Sequence, residues 1–205
     1  MKTLNLYEKE CWKQQKLCLG IDEAGRGPLA GPLVVAGVVF PLDYASNEIY
    51  DSKKLTEKKR TELYDLIITD AIYYDIKIVS PVEIDSLNIY QATKNAMKEI
   101  ALNANVDFIL TDAMPLDIHI ETVSLIKGDQ KSCSIAAGSI LAKVTRDRIM
   151  CEYDSQFPEY GFAKHKGYPT ALHMEALKKY GPTAIHRFSY GPVKEAAQVE
   201  LELFD

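Results

Sequence analysis

The sequence predicts a mixed α/β fold, a sheet with helices on its faces and a helical extension at its C-terminal end. Three observations predict it. Two apolar segments, the second rich in β-branched residues, follow one another at the front of the chain, the pattern of an antiparallel hairpin. Strand and helix patterns then alternate, which implies parallel crossovers. After about residue 170 only helical patterns remain. With 47% hydrophobic and 26% charged residues in 205, the chain has the composition of a globular protein and can bury its core without disulfides or a structural metal. Residues 1–205 read as a single domain, with about 170–205 as its C-terminal helical segment.

The elements follow in order. Leu17 to Ile21 is a buried strand that runs into the glycine-rich segment Asp22-Glu-Ala-Gly-Arg-Gly-Pro28. Leu33 to Phe40 is a second strand, stopped by Pro41. Residues 56–71 have helical spacing, with Leu63, Leu66 and Ile67 on one face. Tyr73 to Val79 alternates as a strand, with Tyr74, Ile76 and Ile78 on one side. Ser80-Pro-Val-Glu83 starts a helix, since Ser80 can cap, Pro81 suits the first turn and Glu83 can close a capping box. A longer helix covers 89–103. Val106 to Leu110 is a short strand that delivers Asp112 at its end, and Ile118 to Ile126 is another. Residues 134–153 form a long helix, and two further helices fall at 171–180 and 192–203.

The net charge is −5, from 24 basic and 29 acidic residues. From Lys127 to Lys194, however, eleven Lys and Arg face six Asp and Glu, a local surplus of five positive charges. This asymmetry suits one face for a polyanion, and chance clustering accounts for it equally well. Cys11, Cys18, Cys133 and Cys151 have no Cys-x-x-Cys spacing, so they read as reduced thiols rather than a zinc site. No apolar run is long enough to span a membrane, and the first residues have no signal-peptide core, so the expected location is cytoplasmic.

The chemical signal is the placement of acids. Asp22 and Glu23 close one apolar strand, Asp112 closes another, and Asp129 follows a third in Lys127-Gly-Asp129. Carboxylates converging at neighbouring strand ends repel one another unless a cation joins them, and hard oxygen ligands suit Mg²⁺ or Mn²⁺. Each acid taken singly also reads as a turn former or helix cap. Successive strand residues point to opposite faces, so Asp22 and Glu23 share a site only if the strand ends or bulges there. Gly25 and Gly27 allow positive φ and close approach of a ligand, and Arg26 can hold a phosphate with paired donors.

The segment Gly20-Ile-Asp-Glu-Ala-Gly-Arg-Gly-Pro-Leu-Ala-Gly-Pro32 resembles ribonuclease HII. Further blocks match in order: Asp51-Ser-Lys-Lys-Leu55, Lys127-Gly-Asp129, Ser139-Ile-Leu-Ala-Lys-Val-Thr-Arg-Asp147, Tyr160-Gly-Phe-Ala-Lys-His-Lys-Gly-Tyr-Pro-Thr170 and Phe188-Ser-Tyr-Gly-Pro192. The matches run from about residue 18 to 195. The resemblance implies the RNase H-like fold, a five-stranded mixed sheet flanked by helices with a C-terminal helical extension. It implies an endonuclease that cuts the RNA strand of RNA/DNA hybrids and cuts 5′ to ribonucleotides embedded in duplex DNA, leaving a 3′-hydroxyl and a 5′-phosphate. By motif, the metal-binding acids of that family carry over to Asp22, Glu23, Asp112 and Asp129, with two Mg²⁺ or Mn²⁺ ions. Its glycine-arginine-glycine loop falls at Gly25, Arg26 and Gly27, and its junction-sensing tyrosine at Tyr168.

Two positions depart from the family pattern: Ala113 follows Asp112 where glycine is common, and Gly138 stands where alanine is usual. The sister type, ribonuclease HIII, usually has lysine in place of Arg26 and an added N-terminal domain, so the resemblance is to type HII. The implied partners are hybrid and ribonucleotide-containing duplexes, the implied role is ribonucleotide excision repair, and the default assembly is a monomer. Lys53, Lys54, Lys143, Arg146, Lys164 and Lys166 are candidates to grip phosphates, or else ordinary surface charges. His165, His173 and His186 receive no catalytic role, the latter two reading as packing or surface residues. A nuclease of the same fold restricted to long hybrids, a non-catalytic nucleic-acid-binding module and a small-molecule metallohydrolase are the rival readings.

Overall fold

The computed structural model describes residues 4–202. Five strands form one mixed sheet: β1 (Cys18–Ala24), β2 (Leu33–Val39), β3 (Tyr73–Val79), β4 (Phe108–Asp112) and β5 (Glu121–Leu125). Their order across the sheet is β3-β2-β1-β4-β5. The pair β1–β2 is antiparallel, and β1–β4 and β4–β5 are parallel. Eight helices accompany them among the described residues: α1 (Leu6–Trp12), α2 (Glu57–Asp70), α3 (Pro81–Leu87), α4 (Ile89–Asn103), α5 (Cys133–Gln156), α6 (Phe162–His165), α7 (Ala171–Tyr180) and α8 (Gly191–Glu202). The predicted mixed sheet with flanking helices and a helical C-terminal part is therefore the observed architecture.

Local chemistry explains most boundaries. The β2 segment is buried at every position, as a β-branched strand inside a sheet requires. Thr56 caps α2 by accepting from Lys59 N–H, and Ser80 and Glu83 form a reciprocal capping box at α3. Sequence expectations missed α1 and α6, as well as the 3₁₀ turns at Ser52–Lys54 and Gly128–Gln130. The strand expected over 118–126 is confined to Glu121–Leu125. The last predicted helix begins at Gly191, and its expected end at Leu203 lies outside the described residues. On β3, Tyr74 and Ile78 are exposed and Val79 is buried, so the alternating apolar side faces out. This strand is a sheet edge, where alternation alone cannot tell which side is covered.

Gly138 in α5 has a packing reason. A Cβ there would stand 2.7 Å from the Ala36 carbonyl oxygen and 3.2 Å from Asp22 N, so the helix lies directly on the β1–β2 backbone.

The chain divides into two compact units. The first comprises 1–24, 34–77 and 93–144 and contains most of the sheet. Part of its core joins Cys11, Cys18, Leu110, Leu125 and Ile135. The second comprises 25–33, 78–92 and 145–205. It packs Ala30, Met150, Tyr160, Phe162, Ala176 and Ile185 together, with a smaller cluster of Leu29, Leu177 and Val193. Among the described residues no helix is long and apolar enough to cross a membrane. All four cysteines are free thiols.

Candidate active site

The four acids lie in the first unit. Strand β1 pairs with β4 in parallel as far as Ile21↔Thr111, so Asp22 and Asp112 come at the same level on adjacent strands. The expected break in β1 is absent. Its register with β2 is regular through Asp22↔Ala36, Glu23↔Val35 and Ala24↔Val34, with no bulge. What ends at Ile21 is the pairing with β4. Asp129 arrives by a different route. After β5 the chain turns through Lys127, whose φ of 57° is left-handed, into the 3₁₀ turn of Gly128–Gln130. Gly128 N–H then donates to Asp112 Oδ1 at 2.8 Å, which ties that turn to the end of β4.

These carboxylates sense one another. Asp22 is only 4% exposed, and its Oδ1 accepts from the Glu23 amide at 2.7 Å. Burial, followed by the charges of Glu23 and Asp112, holds its carboxyl well above the usual range. Asp129 is 2% exposed, and burial also raises its pKa, partly offset by Lys53. Its Oδ2 is buried without a hydrogen bond and has only the Lys53 ammonium, 3.8 Å away. Burial draws Lys53 down, but Asp129, Asp22, Asp51 and Asp112 together hold its ammonium above the ordinary value. Among the described residues no three His, Cys, Asp or Glu side chains close on a common point as a preformed cage. A buried carboxylate oxygen lacking a donor, beside an acid destabilised by like charges, nevertheless fits a divalent cation.

Two neighbours were not singled out from the sequence. Asp51 is buried, caps the Ser52–Lys54 turn through Lys53 N–H, and receives the Gln130 amide at 3.2 Å. Ser139 hydrogen-bonds Asp22 and lies 3.0 Å from the Ser52 hydroxyl. Lys54 is exposed and pairs with Asp51 at 3.7 Å, and Lys143 is half-buried on α5.

The loop residues and Tyr168 lie in the second unit. Gly25 has φ of 103°, and a Cβ there would collide with the Arg146 side chain and stand 2.8 Å from the Pro32 carbonyl oxygen. Glycine is obligatory at that position. Gly27 differs from the expectation, because its φ is not in the left-handed region. A Cβ at Gly27 would meet Tyr168 Cε1 at an ordinary 3.6 Å, so its small size opens space beside that ring. Arg26 is exposed, and Tyr168 is 43% exposed.

Arg146 corrects the sequence reading. It is 1% exposed, and its guanidinium donates to the carbonyls of Pro32 (2.9 Å), Lys166 (2.9 Å) and Ala30 (3.0 Å). Its donors are committed to the loop, so it does not project to solvent to grip a phosphate. Burial lowers its pKa to about 10. The sequence offered no means of distinguishing this arginine from a solvated one. Arg187, which sequence reasoning missed, is 0% exposed and does the same for Gly25 (2.6 Å), Arg26 (3.1 Å) and Gly31 (2.9 Å). Lys164 is exposed, and Lys166 is half-buried with its ammonium 2.9 Å from Cys151 Sγ.

Comparison with known proteins bears on the family and the fold. The family model described as Ribonuclease HII matches residues 19–193. A curated Ribonuclease HII of Acetivibrio thermocellus is 53% identical over 189 residues, 90% of this chain and 74% of the relative. Among solved structures, the ribonuclease H2 of Pyrococcus horikoshii OT3 aligns with TM-score 0.71 and 26% identity, covering 89% of this chain and 98% of that one. The RNase HII of Archaeoglobus fulgidus, solved as a PCNA:RNase HII complex, aligns with TM-score 0.73 and 29% identity, covering 87% and 96%.

Proposed function

The chain belongs to the ribonuclease HII family, enzymes that hydrolyse RNA in RNA/DNA hybrids, and from that premise we propose that it also cuts 5′ to single ribonucleotides in duplex DNA, leaving a 3′-hydroxyl and a 5′-phosphate. The observation that carries this reading is the grouping of acids. Asp22 and Asp112 leave adjacent parallel strands at one level, and the backbone beside Asp129 donates to Asp112. We assign Asp22, Glu23, Asp112 and Asp129 as ligands of two divalent cations, Mg²⁺ or Mn²⁺. When bound, these cations would supply the Lewis acidity that ionises an attacking water and neutralises the departing 3′-oxygen.

The chain's own groups have separate tasks. Asp22, raised by burial and by the charges of Glu23 and Asp112, would hold a cation that relieves this repulsion. Asp129 offers its unbonded Oδ2, and Lys53 partly offsets the burial that raises the pKa of that carboxyl. Only the 2′-hydroxyl marks RNA within DNA, and a backbone bare of side chains at Gly25 and Gly27 can approach it. Arg26, exposed at the loop tip, serves as a phosphate clamp. The half-exposed Tyr168 ring stacks on the neighbouring sugar, where an added 2′-hydroxyl would crowd it. Lys54, Lys143, Lys164 and Lys166 supply sequence-independent phosphate contacts, and Arg146 does not.

The test is a duplex with one ribonucleotide, incubated with and without EDTA, and the cut mapped. Cleavage 5′ to the ribonucleotide, abolished by EDTA and by Asp22→Asn with duplex binding retained, is the expected result. Cleavage of long hybrids alone would restrict the substrate. Persistent activity in Asp22→Asn would overturn the ligand assignment.

A further inference from the structure

Three histidines of the second unit, His165, His173 and His186, are buried together beside the turn that carries Tyr168. Their partners determine every proton in the group. Thr183 N–H donates to His186 Nδ1 at 2.9 Å, so that nitrogen carries no hydrogen. The proton of His186 is therefore on Nε2, which lies 3.1 Å from His173 Nε2 and donates to it. His173 must then be protonated at Nδ1, and this N–H donates to the Tyr168 carbonyl at 3.0 Å. In the same way, Gly167 N–H donates to His165 Nδ1 at 3.1 Å, leaving His165 Nε2–H for the Tyr160 carbonyl at 2.8 Å. The His165 and His173 rings stack, with centroids 4.6 Å apart and planes 11° apart.

Two adjacent residues of the turn are thus held by the rings: Gly167 through its N–H and Tyr168 through its carbonyl. The turn needs holding. Lys166 and Gly167 have φ of 50° and 81°, two successive left-handed residues, and the lysine lacks glycine's freedom there. The proposed chemistry uses none of these histidines.

We propose that His186, His173 and His165 form a fixed-tautomer relay that positions Tyr168, so that His173 in particular is a positioning residue for ribonucleotide recognition. This rests on the reading of Tyr168 as the residue that stacks on the sugar. Burial lowers the pKa of His173 and carries His186 to about 4, so both rings stay neutral at physiological pH, as the tautomer chain requires. Protonation of either ring would set two N–H groups against each other across the 3.1 Å link or remove the acceptor for Thr183. Arg146 has its guanidinium carbon 5.9 Å from the Tyr168 ring centroid and donates to the carbonyls of Pro32, Lys166 and Ala30.

The experiment compares the parent, Tyr168→Ala, His173→Phe and the double variant on a single-ribonucleotide duplex. His173→Phe should lower kcat/KM about tenfold in the parent and have no further effect once Tyr168 is alanine. A conservative pair guards against simple misfolding. His173→Asn puts an amide N–H where Nδ1 stood and should keep near-parent activity. His173→Gln keeps the His186 side instead and should be impaired like His173→Phe. An equal loss from His173→Phe in both backgrounds, or an Asn variant as poor as Gln, would overturn the relay. Tyr168→Ala with full activity would sink the stacking reading alone, because the ring resonances of Tyr168 report positioning without activity. Those resonances should shift and broaden in His173→Gln. If they match the parent, the relay does not position Tyr168. Nitrogen-15 spectra should show His173 as the Nδ1–H tautomer and His186 as the Nε2–H tautomer, and the opposite tautomers would refute the assignment.

Discussion

Replacing Arg187 with methionine should destabilise the protein by about 3–4 kcal/mol. The side chain is fully buried, and methionine fills much of its length without donors. Its guanidinium donates to Gly31 O through Nε (3.0 Å) and Nη2 (2.9 Å), to Gly25 O (2.6 Å), to Arg26 O (3.1 Å) and to the Tyr190 hydroxyl (3.1 Å). Arg26 O keeps a second donor, Tyr190 OH at 2.7 Å. The substitution therefore leaves two carbonyls, those of Gly25 and Gly31, without their guanidinium donor. An unsatisfied buried acceptor costs about 1–3 kcal/mol, which gives roughly 2–6 for the two. Relief of the guanidinium's own desolvation, visible as its lowered pKa, returns part of this. At this chain length 1 kcal/mol moves Tm by about 2–4 °C, so thermal unfolding followed by circular dichroism should show a drop of about 10 °C. Arg187→Lys should fall in between, because one ammonium cannot reach both carbonyls in a fork. A Tm within about 2 °C of the parent would show that the carbonyls find other donors, and the reasoning would fail.

Metal binding and pH supply further outcomes. Adding Mn²⁺ should raise the Tm of the parent but not of Asp22→Asn, and Lys53→Met should bind Mn²⁺ more tightly by calorimetry, because that ammonium competes for the same carboxylates. His186 is lowered to about 4 from 6.5, so the unfolded chain binds its proton first and stability falls as pH drops from 6.5 towards 4, by up to about 3 kcal/mol. Asp22 and Asp129 are raised instead, so they gain stability over the acid range, and His186→Gln should unmask that gain in urea titrations at pH 4.5 and 7.

Much of the fold was legible because local signals agreed with the tertiary outcome. The β-branched run at Leu33–Val39, the Ser80 and Glu83 box and the α7 periodicity each produced the expected element. Edge placement was not legible. The alternation in β3 is the same whichever side faces solvent, and only its neighbours decide. The acids at strand ends could be picked out because a carboxylate closing an apolar run is conspicuous. That β1 stays paired with β2 through Asp22 and Glu23 while its pairing with β4 stops at Ile21 could not, because it is a property of neighbouring strands. Nor could the burial of Arg146 be foreseen, since an arginine on a charged helix reads as solvated until its acceptors are known.

Those acceptors explain why two arginines so distant in sequence belong to one short loop. The segment Gly25–Pro32 departs from regular structure, and several of its carbonyls turn into the protein without strand partners. Ala30, Pro32, Gly25, Arg26 and Gly31 all direct oxygens to the two guanidiniums. A carboxylate cannot donate, and a lysine offers three donors on one point, whereas guanidinium spreads five N–H groups in a plane. An irregular segment rich in inward carbonyls is therefore best stabilised by buried arginine. The backbone amides on either side add to this, with Leu29 N–H bonding Gly167 O and Arg187 N–H bonding Leu29 O, each at 2.8 Å. The Gly25–Pro32 loop and the turn carrying Tyr168 thus share one set of bonds. On the proposed role of this loop, substitutions at Arg146 or Arg187 should appear as defects in ribonucleotide cleavage as well as in stability, because both buried side chains act through the backbone they hold.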